Sequence, residues 1–148
     1  MRKWDQGGVP VRNVPKPVDY VNHPPHYKQR CIECIDATRG MGFTLGNCVK
    51  YVYRAPYKGN IQQDLEKARF YLVDHRNHRQ SHMLQPSSQA THGCRLLAAE
   101  SRQRASTDKE MANYHKADAV FFYAISDGDY QIAADAIELL IAEVLEQD

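Results

Sequence analysis

The sequence predicts an all-α protein, a compact helical domain of about four to five helices with an extended Pro/Gly-rich N-terminal arm. Three observations lead there. Apolar residues recur at intervals of three and four along most of the chain after residue 30, the period of one helix face. No segment has the length and alternation of a strand, and the short Val49–Tyr53 run fits better inside a helix. The first 22 residues carry Gly7, Gly8, Pro10, Pro15 and Pro17, which favour an extended chain over a helix. The division is therefore an arm over 1–22 and a single helical domain over 23–148, with a flexible connection near 78–93.

Taken in order, His23-Pro24-Pro25-His26-Tyr27 is held extended by its prolines, which fixes the separation of the two histidines. Residues 31–39 read as a short helix, with Ile32 and Ile35 turned to the core and Glu33 and Asp36 a turn apart on the other side. Gly40 and Gly42 break it. The next helix covers about 43–55. Leu45, Cys48, Val49 and Val52 form its buried flank; Asn47, Lys50, Tyr51 and Arg54 form the opposite, cationic ridge. Pro56 is expected to end it, with Lys58 on the loop that follows. A third helix spans about 61–77, capped by Asn60, with Ile61, Leu65, Ala68 and Leu72 as its apolar stripe. Asp64, Lys67 and Tyr71 share another face. The five-residue loop between these helices makes them antiparallel.

From Arg76 to Ala90 the pattern decays into polar residues, and 94–103 has room for one short helix. His75, His78 and His82 lie there, read as a wet helix end with a metal tract as the alternative. Thr107 to Glu110 has the form of a capping box, opening a helix to about Ser126 on the stripe Met111, Tyr114, Asp118, Phe121, Phe122 and Ile125. Asp118 is the single charge in that stripe. Asp127-Gly128-Asp129 supplies a stop and a new cap, and the last helix, 130–146, buries Ala133, Ala136, Ile137, Leu140, Ile141 and Val144.

Composition narrows the function. Net charge is +1, but residues 1–60 carry +6 and residues 61–148 carry −5. The acidic second half argues against general nucleic-acid binding, and the basic first half suits a small anionic ligand. No apolar run reaches membrane-spanning length, and the first residues lack a signal-peptide core. A cytoplasmic protein with unpaired cysteines is the expectation. His23-x-x-His26 and Cys31-x-x-Cys34 have zinc-compatible spacings. The helical setting of the cysteines and the four residues between the pairs count against a structural zinc, which is not expected. No Gly-rich phosphate loop or dinucleotide fingerprint is present.

Four blocks carry a resemblance: HPPHY at 23–27, IECID at 32–36, LGNCVKYVYRAPYKG at 45–59 and DLEKARFYL at 64–72. They resemble a small protein family common in tailed bacteriophages, whose best understood member is a nucleotide kinase acting on deoxynucleoside monophosphates such as dTMP and dGMP. That kinase lacks the usual phosphate loop and forms a large homo-oligomer. The resemblance implies phosphoryl transfer from ATP to a nucleoside monophosphate, with Mg²⁺, in the cytoplasm of an infected bacterial cell and in a homo-oligomer.

On chemistry, Lys50, Arg54 and Asp36 are the catalytic candidates. Lys58 joins Lys50 and Arg54 as a phosphate clamp. His23, His26, Tyr27, Asn47, Tyr51 and Lys67 complete the substrate-binding set. Glu33, Asp36 and Asp64 are the candidates for Mg²⁺. Two other readings stay open. One is an all-α nucleotide pyrophosphohydrolase, though its repeated acidic pairs are missing and Lys67 stands where a second acid is wanted. The other is a non-enzymatic phage protein that binds a host enzyme through the ridge.

Overall fold

The computed structural model describes residues 16–27, 29–78 and 86–147. Every regular element among them is helical. A single 3-10 turn at Pro25–Tyr27 precedes six α-helices: α1 Cys34–Thr38, α2 Phe43–Lys58, α3 Ile61–Asn77, α4 Ser88–Thr107, α5 Ala112–Asp127 and α6 Tyr130–Glu146. The arm's residues 1–15, and 79–85 within the expected flexible connection, lie outside the described residues.

Helix neighbours form a closed ring, α1 to α2 to α3 to α6 to α5 to α4 and back to α1. The core fills that ring, with Leu45, Val49, Tyr53, Leu65, Leu72, Leu97, Phe121, Phe122, Ile137 and Leu140 all fully buried. Each helix offers one apolar stripe, and the ring lets all of them face inward at once.

Local chemistry sets most boundaries. Asn60 accepts a hydrogen bond from the Gln63 amide at 3.0 Å, and Asp129 accepts from Ile132 at 3.1 Å, so α3 and α6 start where their caps predict. Gly59 and Gly128 stop α2 and α5 in the left-handed region, at φ +107° and +71°.

Four expectations are corrected. Pro56 does not end α2, which continues to Lys58. Proline removes one N–H and keeps a helix-compatible φ, so a single lost bond near the end leaves the last turn standing until Gly59. Thr107 is not a cap but the last residue of α4. Its hydroxyl bonds back to the Gln103 and Arg104 carbonyls, and Asp108 takes the Met111 amide instead. The short helix expected at 94–103 is the 20-residue α4, whose buried face is built from small residues, Ala90, Gly93, Cys94, Ala98, Ser101 and Ala105, around Leu97. Conversely, the helix expected over 31–39 shrinks to five residues.

Gly93 matters for packing. A Cβ there would lie 2.9 Å from Ile32 Cδ1 and 3.2 Å from Ala37 Cα. Its absence lets α4 approach α1 closely.

Candidate functional site

A cleft of about 480 Å³ lies between the Pro25–Tyr27 turn, α1 and the first half of α2. His23, Tyr27, Glu33, Phe43, Asn47 and Lys50 are among its walls. The size is that of a small-molecule site.

Each wall is held from behind. The Tyr27 amide bonds to the Pro24 carbonyl at 3.0 Å, closing the turn that the prolines begin. The Tyr27 hydroxyl accepts from Arg54 Nη1 at 2.9 Å. The buried Tyr53 donates to the Ile32 carbonyl at 2.7 Å and so ties the strand of chain before α1 to α2. His23 Nδ1 sits 3.0 Å from Glu33 Oε1. Asn47 Nδ2 donates one N–H to the Phe43 carbonyl at 2.8 Å, which leaves its amide oxygen and second N–H to meet a ligand.

Lys50 is half-buried in the cleft wall. Burial lowers its pKa, and the nearby Arg54 cation pushes the same way. Its ammonium stands 4.5 Å from the Tyr51 ring centre, where Arg54 at 4.7 Å and Lys67 at 5.5 Å also converge. Tyr51 stacks on Tyr71 with centroids 5.8 Å apart and planes 11° from parallel. The His26 ring packs on Tyr27 at 4.3 Å, and its pKa is lowered first by burial and then by Lys58 and Arg54. Two bases are thus depressed, by burial first and by neighbouring cations second. Lys50, Arg54 and Lys67 are arrayed here, and one of them, Arg54, is paired with a buried carboxylate, Asp64.

That carboxylate is fully engaged. Arg54 Nε and Nη2 grip Asp64 Oδ2 and Oδ1 at 3.0 and 3.1 Å, with both side chains less than a tenth exposed. Burial opposes the Arg54 charge, and the bonds to Asp64 and Tyr27 outweigh it, so its pKa rises. Arg54 is therefore a buried strut linking α2, α3 and Tyr27, with its fork turned to Asp64 and not to the cleft. Asp36 is not in the cleft wall; it pairs with Arg39 across one turn at 3.6 Å. The expected Mg²⁺ triad of Glu33, Asp36 and Asp64 is not assembled. Glu33 faces the cleft beside His23, while the other two are taken by arginines. Among the described residues no group of three or more His, Cys, Asp or Glu is placed to hold a metal ion.

Of the sequence candidates, the structure brings His23, Tyr27, Glu33, Asn47 and Lys50 to one cleft and sets Tyr51, Arg54, Asp64 and Lys67 behind it. Lys58 is exposed at the end of α2. Phe43 and Thr38, not foreseen, also line the cleft, and so does Ile35, which was expected to face the core but is 57% exposed. Phe43 had a visible signal: a large apolar side chain at the first helical position, outside the buried stripe and 76% exposed.

The model of a protein family of unknown function, DUF3310, matches residues 21–73. The matched segment contains every residue of the cleft wall, from Val21 to Lys50, and all of the cationic set behind it. No curated protein matches the chain. No solved structure matches it either. No described helix is long and apolar enough to cross a membrane.

Proposed function

We propose that the protein is a nucleotide kinase, which holds a deoxynucleoside monophosphate in the α1–α2 cleft and transfers the ATP γ-phosphate to it. The observation that carries the reading is Lys50, a partly desolvated cation in the wall of a nucleotide-sized cleft, with two more cations, Arg54 and Lys67, gathered behind it on the Tyr51 ring. An anion placed at Lys50 relieves the mutual repulsion of that group. Phe43 and Tyr27 offer ring faces to a base, and the Asn47 amide oxygen accepts from an exocyclic amine or a sugar hydroxyl. The kinase family's blocks, as they stand here, fall on the same residues.

In such a transfer a monophosphate oxygen attacks the γ-phosphorus and ADP leaves. Lys50 neutralises the acceptor phosphate and so lowers the repulsion between two anions. Arg54 acts one step back, by holding Tyr27 and the Tyr51 face in place. The residues present do not fit a protein-held three-carboxylate Mg²⁺ shell. The ion that supplies charge neutralisation in phosphoryl transfer would have to come with the ATP phosphates.

The test is ADP production from ATP with dTMP or dGMP as acceptor, alongside calorimetric binding of the monophosphate alone. Lys50→Met keeps the aliphatic stem and is expected to weaken monophosphate binding at least tenfold, or about 1.4 kcal/mol, with the far-UV spectrum unchanged. Release of pyrophosphate without an acceptor would support the hydrolase instead. No binding of any mononucleotide by the parent protein would reject the reading.

A further inference from the structure

A second cleft, of about 380 Å³, opens at the other end of α2, where its last turn meets α4 and α5. Arg30, Tyr57, Arg104, Met111, Tyr114 and Asp118 are among its walls. Most of these lie in the second half of the chain, beyond the family match. It shares no lining residue with the first cleft.

Two buried polar atoms of its lining residues have no hydrogen-bond partner among the described residues: the Tyr114 hydroxyl and Asp118 Oδ1. Both residues are at least nine-tenths buried. They are four apart on α5, so they rise from one face a turn apart. The other oxygen of Asp118 is fully served, by Arg30 Nη1 at 2.9 Å and by the Ser101 hydroxyl at 2.5 Å. Arg30 also donates to Glu100 at 2.7 Å, to the Leu97 carbonyl and to Ser101, and its guanidinium lies 5.0 Å from the Phe122 ring centre. Asp118 is thus pinned, with one acceptor pointing away from its partners. An unmet buried acceptor is costly, and the large majority of such groups have a partner, water or ligand included. The remaining surroundings are Pro56, Met111 and the Tyr57 ring, which suit a flat apolar face, Arg104, whose Nη1 is committed to the Tyr57 hydroxyl at 2.5 Å, and His115 and Asp108, which are 3.2 Å from each other.

We propose that this cleft is a second ligand site, taking an amino-substituted nitrogen heterocycle such as a nucleobase, whose amine donates to Asp118 Oδ1 and whose ring nitrogen accepts from the Tyr114 hydroxyl. The phenol is suited to donate: burial, and then the Asp118 charge, raise its pKa well above the ordinary value, so it keeps its proton. The rings of Tyr57 and Pro56 and the Met111 thioether bury the heterocycle faces. The site does not rest on the kinase reading, because it uses none of the cleft residues invoked there.

The experiment is binding of adenosine to the full chain by calorimetry or ligand-observed NMR, with purine riboside, which lacks the amine, as the matched control. Adenosine is expected to bind at least tenfold more tightly than purine riboside. Tyr114→Phe removes one oxygen from the wall and is expected to weaken adenosine at least fivefold. Met111→Trp, a half-buried position, is expected to block the cleft and abolish binding, while Lys50→Met leaves it unchanged. Failure of adenosine to bind at millimolar concentration, equal binding of the two nucleosides, or full binding by Tyr114→Phe would each overturn the proposal. Loss of adenosine binding in Lys50→Met would overturn it too, by assigning the nucleoside to the first cleft.

Discussion

Arg54→Ala is expected to damage the fold before it tests any chemistry. The Arg54–Asp64 pair has side chains 8% and 5% exposed, with two parallel N–H···O bonds and a third bond from Arg54 to Tyr27. Removing the guanidinium leaves the Asp64 carboxylate buried with no cation. Breaking one side of a buried pair in this way costs about 3–5 kcal/mol. At about 2–4 °C per kcal/mol for a domain near this size, the melting temperature should fall by roughly 6–20 °C. The assay is urea and thermal unfolding followed by circular dichroism. The double variant Arg54→Met/Asp64→Leu separates the cost of the orphaned charge from the worth of the pair, because apolar replacements of similar volume leave nothing unpaired. It should recover most of the loss. A single variant within about 1 kcal/mol of the parent, or a double variant no more stable than the single one, would refute the strut role and return Arg54 to the cleft as a free cation.

Three further outcomes follow from the same structure. Gly93→Ala forces a methyl against the Ala37 backbone and should destabilise by about 1–3 kcal/mol in urea unfolding. His26 has a folded-state pKa below its usual 6.5, so the unfolded chain takes up a proton first as pH falls. Unfolding free energy should therefore decline below pH 6.5, and His26→Gln should flatten that slope over the same window. Cys31 is exposed, while Cys34, Cys48 and Cys94 are buried, with Cys34 and Cys94 pushed up to about 12 by burial. A thiol reagent should modify Cys31 alone in the native protein and all four cysteines in denaturant.

The sequence made the ends of α3 and α6 legible because their caps act within four residues. It failed where the deciding partner is distant or the signal small. The buried face of α4 is made of Ala, Gly, Cys and Ser, which no hydrophobic stripe announces. Thr107 does not cap α5 because α4 claims it first; α5 starts later, after Met111, with no side-chain cap, and Asp108 only braces the turn before it. Within the site, Lys50, Asn47, His23 and Tyr27 were readable from one helix flank and one proline-fixed turn. The engagement of Arg54 with Asp64 is not, since helical periodicity places Arg54 only on the ridge, and it is the α2–α3 hairpin that sets the two face to face. Asp118 stood out as a lone charge in an apolar stripe; its partner Arg30 did not, because it sits in irregular chain with no periodicity to place it.

Arg30 lies inside the family segment, yet Glu100 and Asp118, which hold it, lie outside. A fragment ending at residue 78 would strand that guanidinium over bare hydrocarbon, with the inward faces of α2 and α3 open to water. In this chain the two portions are therefore fastened by a buried electrostatic rivet, with the exposed Arg69–Glu138 pair as a second, weaker link. Transplanting the first portion alone into another protein would demand a replacement counter-charge as well as a replacement wall.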